Sequence, residues 1–193
     1  MDGRRAARKR ETEQRIHRCA LVLTDEHGLD GWTMEELAGA ADVSRRTLFN
    51  YFPGKTDAVL GGPPELPPDA LAAFDAGGPT GRLVDDLAAL ASALLAGKDL
   101  DPELAALGRR IVHRTPRLLA VVHERFEQVM QELVEHILRR EGAGYGEARA
   151  RLLLRLLGAL LDDALHQVQA APAGPTVLER FDRNIALARD LLA

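Results

Sequence analysis

The sequence predicts an all-α protein, and three observations carry that prediction. Alanine and leucine dominate, β-branched residues are thin, and no stretch shows a convincing period-two alternation. Clusters of glycine and proline cut the rest into about nine helices: an N-terminal three-helix domain over residues 1–55 and a larger C-terminal helical bundle domain over 56–193. The 193 residues suffice for a small domain joined to a larger one.

The first helix is expected over about 8–27. Ile16, Cys19, Ala20, Leu23 and His27 recur at spacings of three and four, and Gly28 stands where a helix C-terminal glycine belongs. Residues 1–9 read as a flexible basic arm. Residues 1–18 hold seven Arg/Lys against three acids, a net +4, so the remainder of this −4 chain carries −8. That balance argues against a protein that coats nucleic acid over its whole surface, and it fits either a basic arm that meets a polyanion or a solvated tail.

The second helix has a complete start signal. Thr33 is placed as N-cap, Glu36 closes a capping box, and Trp32 and Leu37 are spaced for a hydrophobic staple. Leu37 and Ala41 then face inward, and "ADVS" makes a tight connection in which Asp42 tolerates the turn and Ser44 caps a third helix. Pro53 and Gly54 stop that helix. A fourth begins at "KTDAVL" and is broken by "GGPPELPP"; "DALAAFDA" resumes briefly before "GGPTG". Helices follow at about 81–97, 101–114, 116–141 and 146–170, separated by "GKDLD", Thr115-Pro116 and "EGAGYG". After "APAGP", Thr176 caps a last helix running to the C-terminus.

The single Cys19 excludes an internal disulfide framework and fits a reducing compartment, so the cytoplasm is expected. No secretory signal follows the basic N-terminus. The longest apolar run, "RLLLRLLGALLDDALH", is interrupted by Arg155 and closed by Asp162 and Asp163, which is unsuitable for a membrane span.

Residues 44–55, "SRRTLFNYFPGK", gather two arginines and three of the eight aromatics of the chain. Two short helices joined by a tight turn match a helix-turn-helix, whose last helix lies in the DNA major groove. At 100° per residue Leu48 and Phe52 share one face, with Val43 just before them. Arg45 with Phe49, and Arg46 with Asn50, lie on the opposite side. Arginine grips guanine O6/N7 or phosphate and asparagine reads adenine, so that face suits base edges or backbone. Lys55, opening the next helix, is placed to meet a phosphate beside that helix's backbone N–H groups.

The segment "TMEELAGAADVSRRTLFNYFPGKTDAVL" resembles the DNA-binding segment of the TetR (tetracycline-repressor) family of bacterial transcriptional regulators, over about residues 10–60. The resemblance implies an all-α homodimer that binds palindromic double-stranded operator DNA and answers to a small-molecule effector. Position by position it implies that Thr33 contacts a phosphate, that Arg45, Arg46 and Thr47 face base edges with Asn50 and the cap Ser44 beside them, and that Tyr51 and Lys55 hold the backbone. Phe49 stands where the family commonly has tyrosine, so an apolar contact, as with a thymine methyl, takes the place of a hydroxyl bond. Asp42 stands where glycine is common. The fourth helix, which in the family links effector pocket to DNA reader, is shortened here.

The resemblance also implies a dimer interface on the last two helices. Leucines at 152, 153, 154, 156, 157, 160, 161 and 165 are too many for one stripe, so that helix is expected to be buried on two sides, with Leu153, Leu157, Leu160, Leu161 and Leu165 as interface candidates. Phe181, Ile185 and Ala188 follow at helical spacing on the last helix, and burial of both helices in a larger monomeric core is the alternative. An effector pocket is expected among the middle helices, with Arg110, His113, His123, Phe126 and Met130 as candidate lining groups. Repression, relieved by the effector, is the expected mode. The alternative is a helical dimeric protein-interaction module with a degenerate DNA reader and no effector.

An enzyme is not expected, because no Ser/His/Asp set, phosphate-binding glycine loop or paired carboxylates stand in a recognisable frame. Asp162, Asp163 and His166, and separately Glu132 with His136, have spacings that suit a metal, yet a pair of ligands makes no site and a polar helix patch is the expectation. No metal or cofactor is therefore expected.

Overall fold

A computed structural model of the chain describes residues 2–63, 65–96, 102–171 and 174–192. Among the described residues there are ten α-helices, one 3-10 turn and no strand. The contacts divide them into two compact units: one drawn from 1–63 with 103–124, the other from 64–102 with 125–193.

Unit 1 starts with α1 (Asp2–His27), a longer helix than expected. The flexible arm expected at 1–9 is instead the opening of this helix, since nothing between Asp2 and Arg10 breaks the hydrogen-bond ladder. Its apolar stripe buries Ile16, Ala20 and Leu21, and it ends at Gly28 (φ +73), whose N–H donates to the Thr24 carbonyl at 2.9 Å. Then come α2 (Met34–Ala40), α3 (Arg45–Tyr51) and α4 (Lys55–Leu60). The core is Ile16, Leu37, Leu48, Phe52 and Trp32, and the Trp32 indole N–H donates to Thr24 Oγ1 at 3.0 Å, so this buried aromatic leaves no polar atom unmet.

The boundary expected at residue 55 is corrected. α4 stays in unit 1, and so do α7 (Pro102–Arg114) and the first turns of α8 (Pro116–Glu141), because Ile111 and Leu118 are buried in the same core with Leu104, Leu107 and Val112 packed against it. A period-3.6 stripe announces burial without naming the partner.

The break at "GGPPELPP" is present. α4 stops at Leu60 before Gly61 (φ +74), and α5 (Pro68–Asp75) opens with proline in its first turn. Unit 2 continues with α6 (Leu83–Ala96), the rest of α8, the 3-10 turn Ala143–Tyr145, α9 (Glu147–Ala170) and α10 (Val177–Leu192). The "GKDLD" connection and the middle of "APAGP" lie outside the described residues. Phe74, Leu87, Leu90, Val134, Ile137, Leu154 and Phe181 form the core.

A polar lock sits inside unit 2. The Asp86 carboxylate and Arg140 guanidinium are 0% and 4% exposed and lie 2.5 Å apart. Asp86 also accepts the Thr80 N–H and hydroxyl, each at 2.7 Å. Arg140 donates to the carbonyls of Gly77 and Gly78 and stacks on the Phe74 ring, 4.7 Å from its centroid. This ties the turn between α5 and α6 to α8. Thr176 and Glu179 form a second capping box at α10, and Asn184 crosses from α10 to donate to the Leu160 carbonyl of α9.

Candidate nucleic-acid interface

The geometry starts with the cap of α2. Thr33 Oγ1 accepts the Glu36 N–H at 3.2 Å, while Glu36 Oε2 accepts the Thr33 N–H at 2.7 Å and its hydroxyl at 2.9 Å. The two Thr33 bonds hold the Glu36 carboxyl below its ordinary range. The Thr33 hydroxyl proton thus lies on a carboxylate of its own chain.

The α2 to α3 turn follows from Ala41–Ser44. The N–H groups of Asp42 and Val43 return to the carbonyls of Gly39 and Ala38, and Asp42 takes φ +49, the left-handed region that a short polar side chain tolerates. Ser44 then caps α3: its Oγ accepts the Thr47 N–H at 3.0 Å and lies 2.8 Å from Thr47 Oγ1. Those bonds engage Ser44 and Thr47 within the helix start.

The two faces of α3 fall as their phases require. Leu48 and Phe52 are buried, Thr47 and Tyr51 are half-buried, and Arg45, Arg46, Phe49 and Asn50 are exposed. Tyr51 packs against the unit 1 core. Arg45 Nη1 lies 2.9 Å from Glu35 Oε1 of α2, and its guanidinium lies 5.6 Å from the Phe49 ring centroid. Arg46 makes no ion pair or hydrogen bond with the described residues. The outward face is thus one free arginine, one tethered arginine, an amide and an aromatic ring 41% exposed.

Lys55, expected at the DNA backbone, is half-buried. Its ammonium donates to the Leu29 carbonyl at 3.1 Å and lies 4.9 Å from the Trp32 ring centroid, so it braces α4 against the loop after α1. Burial of Leu29 and Trp32 makes that carbonyl and ring a better-matched partner than solvent. His17 adds a second brace: Nδ1–H donates to the Ala58 carbonyl at 2.9 Å, and burial pushes the imidazole pKa down against the opposing pull of that bond and of Glu13. Cys19 is half-buried with its S–H toward the Ala40 carbonyl, and burial pushes the thiol up, away from reactivity.

The other candidates separate. Arg110 pairs with Asp25 at 3.8 Å, His113, His123 and Phe126 are exposed, and Met130 is buried in the unit 2 core. Arg110, His113 and His123 fall in unit 1, Phe126 and Met130 in unit 2, and none lines either of two open clefts of unit 2. The larger cleft, about 530 Å³, is bounded instead by Leu83, Val84, Tyr145, Arg149, Leu152 and Leu156 among others. Of the expected interface residues, Leu157, Phe181 and Ile185 are buried within unit 2, so they are corrected from interface to core. Leu153, Leu160, Leu161, Leu165 and Ala188 are half-buried. Among the described residues, the leucines that remain open on these helices are Leu152 and Leu156 on α9 and Leu187 and Leu191 on α10. Leucine-rich helices leave the choice of face to tertiary packing, which the sequence pattern alone does not carry.

The metal candidates do not converge. His166 Nδ1 turns to its own helix at the Asp162 carbonyl, Asp163 accepts from Gln167 and Asn184, and His136 pairs with Asp75 at 2.6 Å rather than with Glu132.

The model of the family described as bacterial regulatory proteins, tetR family, matches residues 16–60. The HTH-type transcriptional regulator TcmR of Streptomyces glaucescens is 32% identical over 149 residues, which cover 72% of this chain and 65% of that protein. An uncharacterized HTH-type transcriptional regulator of Mycobacterium bovis, Mb1581, is 30% identical over 139 residues, covering 68% of this chain and 62% of that one. The chain thus spans slightly less than two thirds of these curated relatives. In fold it is similar to the protein in the SmeT-triclosan complex, with a TM-score of 0.55 and 18% identity over 92% of this chain and 91% of that one.

Proposed function

Since the chain belongs to the TetR family of bacterial regulatory proteins, we propose that it is a sequence-specific DNA-binding transcriptional regulator. The observation that carries this reading is the split of α3, with Leu48 and Phe52 fastening it to the unit 1 core while Arg45, Arg46, Phe49 and Asn50 stand outward together. Arg46, exposed and unpaired, is the strongest candidate to meet guanine or phosphate. Thr33, Ser44, Thr47 and Lys55 support the reader by holding α2, α3 and α4 in place, a role their internal bonds favour over direct contact, and Tyr51 supports it by packing against the core.

The working form in this proposal is a homodimer. Leu152, Leu156, Leu187 and Leu191 are 61%, 48%, 55% and 74% exposed on the last two helices, and this supports an association surface there. A two-fold dimer fits a palindromic operator with half-sites about 34 Å apart. The protein acts as a repressor that a small molecule releases, by favouring a dimer whose two α3 helices no longer match that repeat. The family and the fold neighbour studied with triclosan support this step. No helix among the described residues is long and apolar enough to cross a membrane, which fits a regulator that meets DNA in the cytoplasm.

Gel shift of the purified protein on the DNA flanking its own gene, over a salt series, tests the reading. A discrete complex that weakens steeply with salt is expected, and Arg46→Ala should cost about 1–3 kcal/mol of specific binding or flatten the salt slope by about one. Absent or salt-insensitive binding would defeat it. A ligand that binds without changing operator affinity would defeat the release mechanism alone.

A further inference from the structure

Arg45 is the one exposed cation of α3 that another helix holds. Glu35, in the first turn of α2, takes its Nη1 at 2.9 Å, and the guanidinium lies within 5.6 Å of the Phe49 ring centroid, one turn on in the same helix. The three groups lie 57%, 69% and 41% exposed, so the array belongs to the outer surface and not to the core. The Nε–Nη2 edge of Arg45 carries no partner among the described residues.

Resting on the DNA-reading function proposed above, we propose that Glu35 is a specificity-determining residue that turns Arg45 from a phosphate binder into a base reader. The physical reason is charge. A guanidinium already paired with a carboxylate presents little net positive charge to a phosphate, and the carboxylate repels that phosphate directly. The edge of guanine is neutral, so its O6 and N7 still accept two N–H bonds from the free edge of the tethered arginine. Phe49, beside Arg45, supplies the apolar surface that a thymine methyl seeks. The array therefore reads a guanine and a neighbouring thymine as one unit, and Glu35 sets its selectivity against unrelated DNA.

Enrichment of bound duplexes from a random library by the full-length protein defines the motif. Titrations on that motif then compare wild type with Glu35→Gln, Arg45→Ala, the double variant and Phe49→Ala. The wild type should enrich guanine beside thymine in each half-site, and deoxyuridine in place of that thymine should weaken binding in wild type but not in Phe49→Ala. Glu35→Gln should strengthen binding to random duplex, steepen its salt slope by about one and reduce the preference for guanine about two- to fivefold, the range expected of an exposed ion pair. In the Arg45→Ala background the same Glu35 change should leave base preference untouched, because the coupling runs through that arginine. All three side chains are exposed, and circular dichroism verifies that each variant keeps its helix content. The inference is overturned if the motif lacks guanine beside thymine. It is also overturned if Glu35→Gln alters random-duplex affinity equally with and without Arg45 while base preference stays fixed, since Glu35 would then be a plain repulsive charge. A library that yields no motif at all would instead overturn the DNA-reading function, and this inference with it.

Discussion

Replacing Arg140 with methionine tests the lock inside unit 2 most directly. The guanidinium is 4% exposed and is the charged partner of Asp86, whose carboxylate is fully enclosed. Methionine keeps much of the stem volume, but it leaves the carboxylate buried with only the two Thr80 donors. Breaking one side of a buried ion pair costs about 3–5 kcal/mol, and loss of the contact with the Phe74 ring adds about 0.5–1 kcal/mol. For a chain of this size that corresponds to a drop of roughly 8–20 °C in the thermal midpoint. Urea and thermal unfolding followed by far-UV circular dichroism measure it. Asp86→Leu combined with Arg140→Met should recover most of the loss, because no buried charge is then unmatched. The pH profile gives an independent reading. Burial raises the Asp86 carboxyl, but the bonds from Thr80 and Arg140 outweigh it and hold the pKa below its usual value. The stabilisation is therefore present above the unfolded value near ~3.9 and is lost as pH falls through the lower folded value. Arg140→Met should abolish that acid-side loss. A destabilisation below about 1 kcal/mol, or a double variant no better than the single one, would refute the claim that the pair is dry and mutually dependent.

Other outcomes follow from the braces and the open surface. Lys55→Met should destabilise unit 1 by about 1–2 kcal/mol and shift the emission of Trp32, the single tryptophan, since both the Leu29 bond and the ring contact are lost. His17, with its pKa lowered by burial, should make unfolding easier as pH falls from about 6.5 toward its lower folded value, because the unfolded chain binds the extra proton. Denaturation midpoints across that window should flatten in His17→Gln. Leu156→Glu should shift sedimentation from dimer toward monomer while leaving helix content unchanged, as that side chain is 48% exposed and outside the core.

Local signals were the legible ones. The capping box of Thr33 and Glu36, the caps at Ser44 and Thr176, the stop at Gly28 and the two faces of α3 each depend on residues within a turn or two, and they stand where spacing puts them. What the sequence did not carry was the partner across space. Lys55 meets Leu29 and Trp32, Glu35 meets Arg45, and Ile111 and Leu118 join a core built from the first sixty residues. On α9 and α10 the density of leucine made core and surface indistinguishable by period, so Phe181 and Ile185 looked like interface and proved to be interior. The opening of α1 was missed for a different reason: charge reads as solvation, and a run of arginine and lysine is also a good helix former.

Because Ile111 and Leu118 share one core with Leu37, Leu48 and Trp32, the recognisable segment 16–60 is only part of its packing unit. A chimera that grafts it onto the body of another regulator would import the reader without its floor. On the function proposed above, exchange of DNA specificity between such proteins would have to carry residues 103–124 along, or be confined to the exposed positions of α3, where substitution leaves the packing alone.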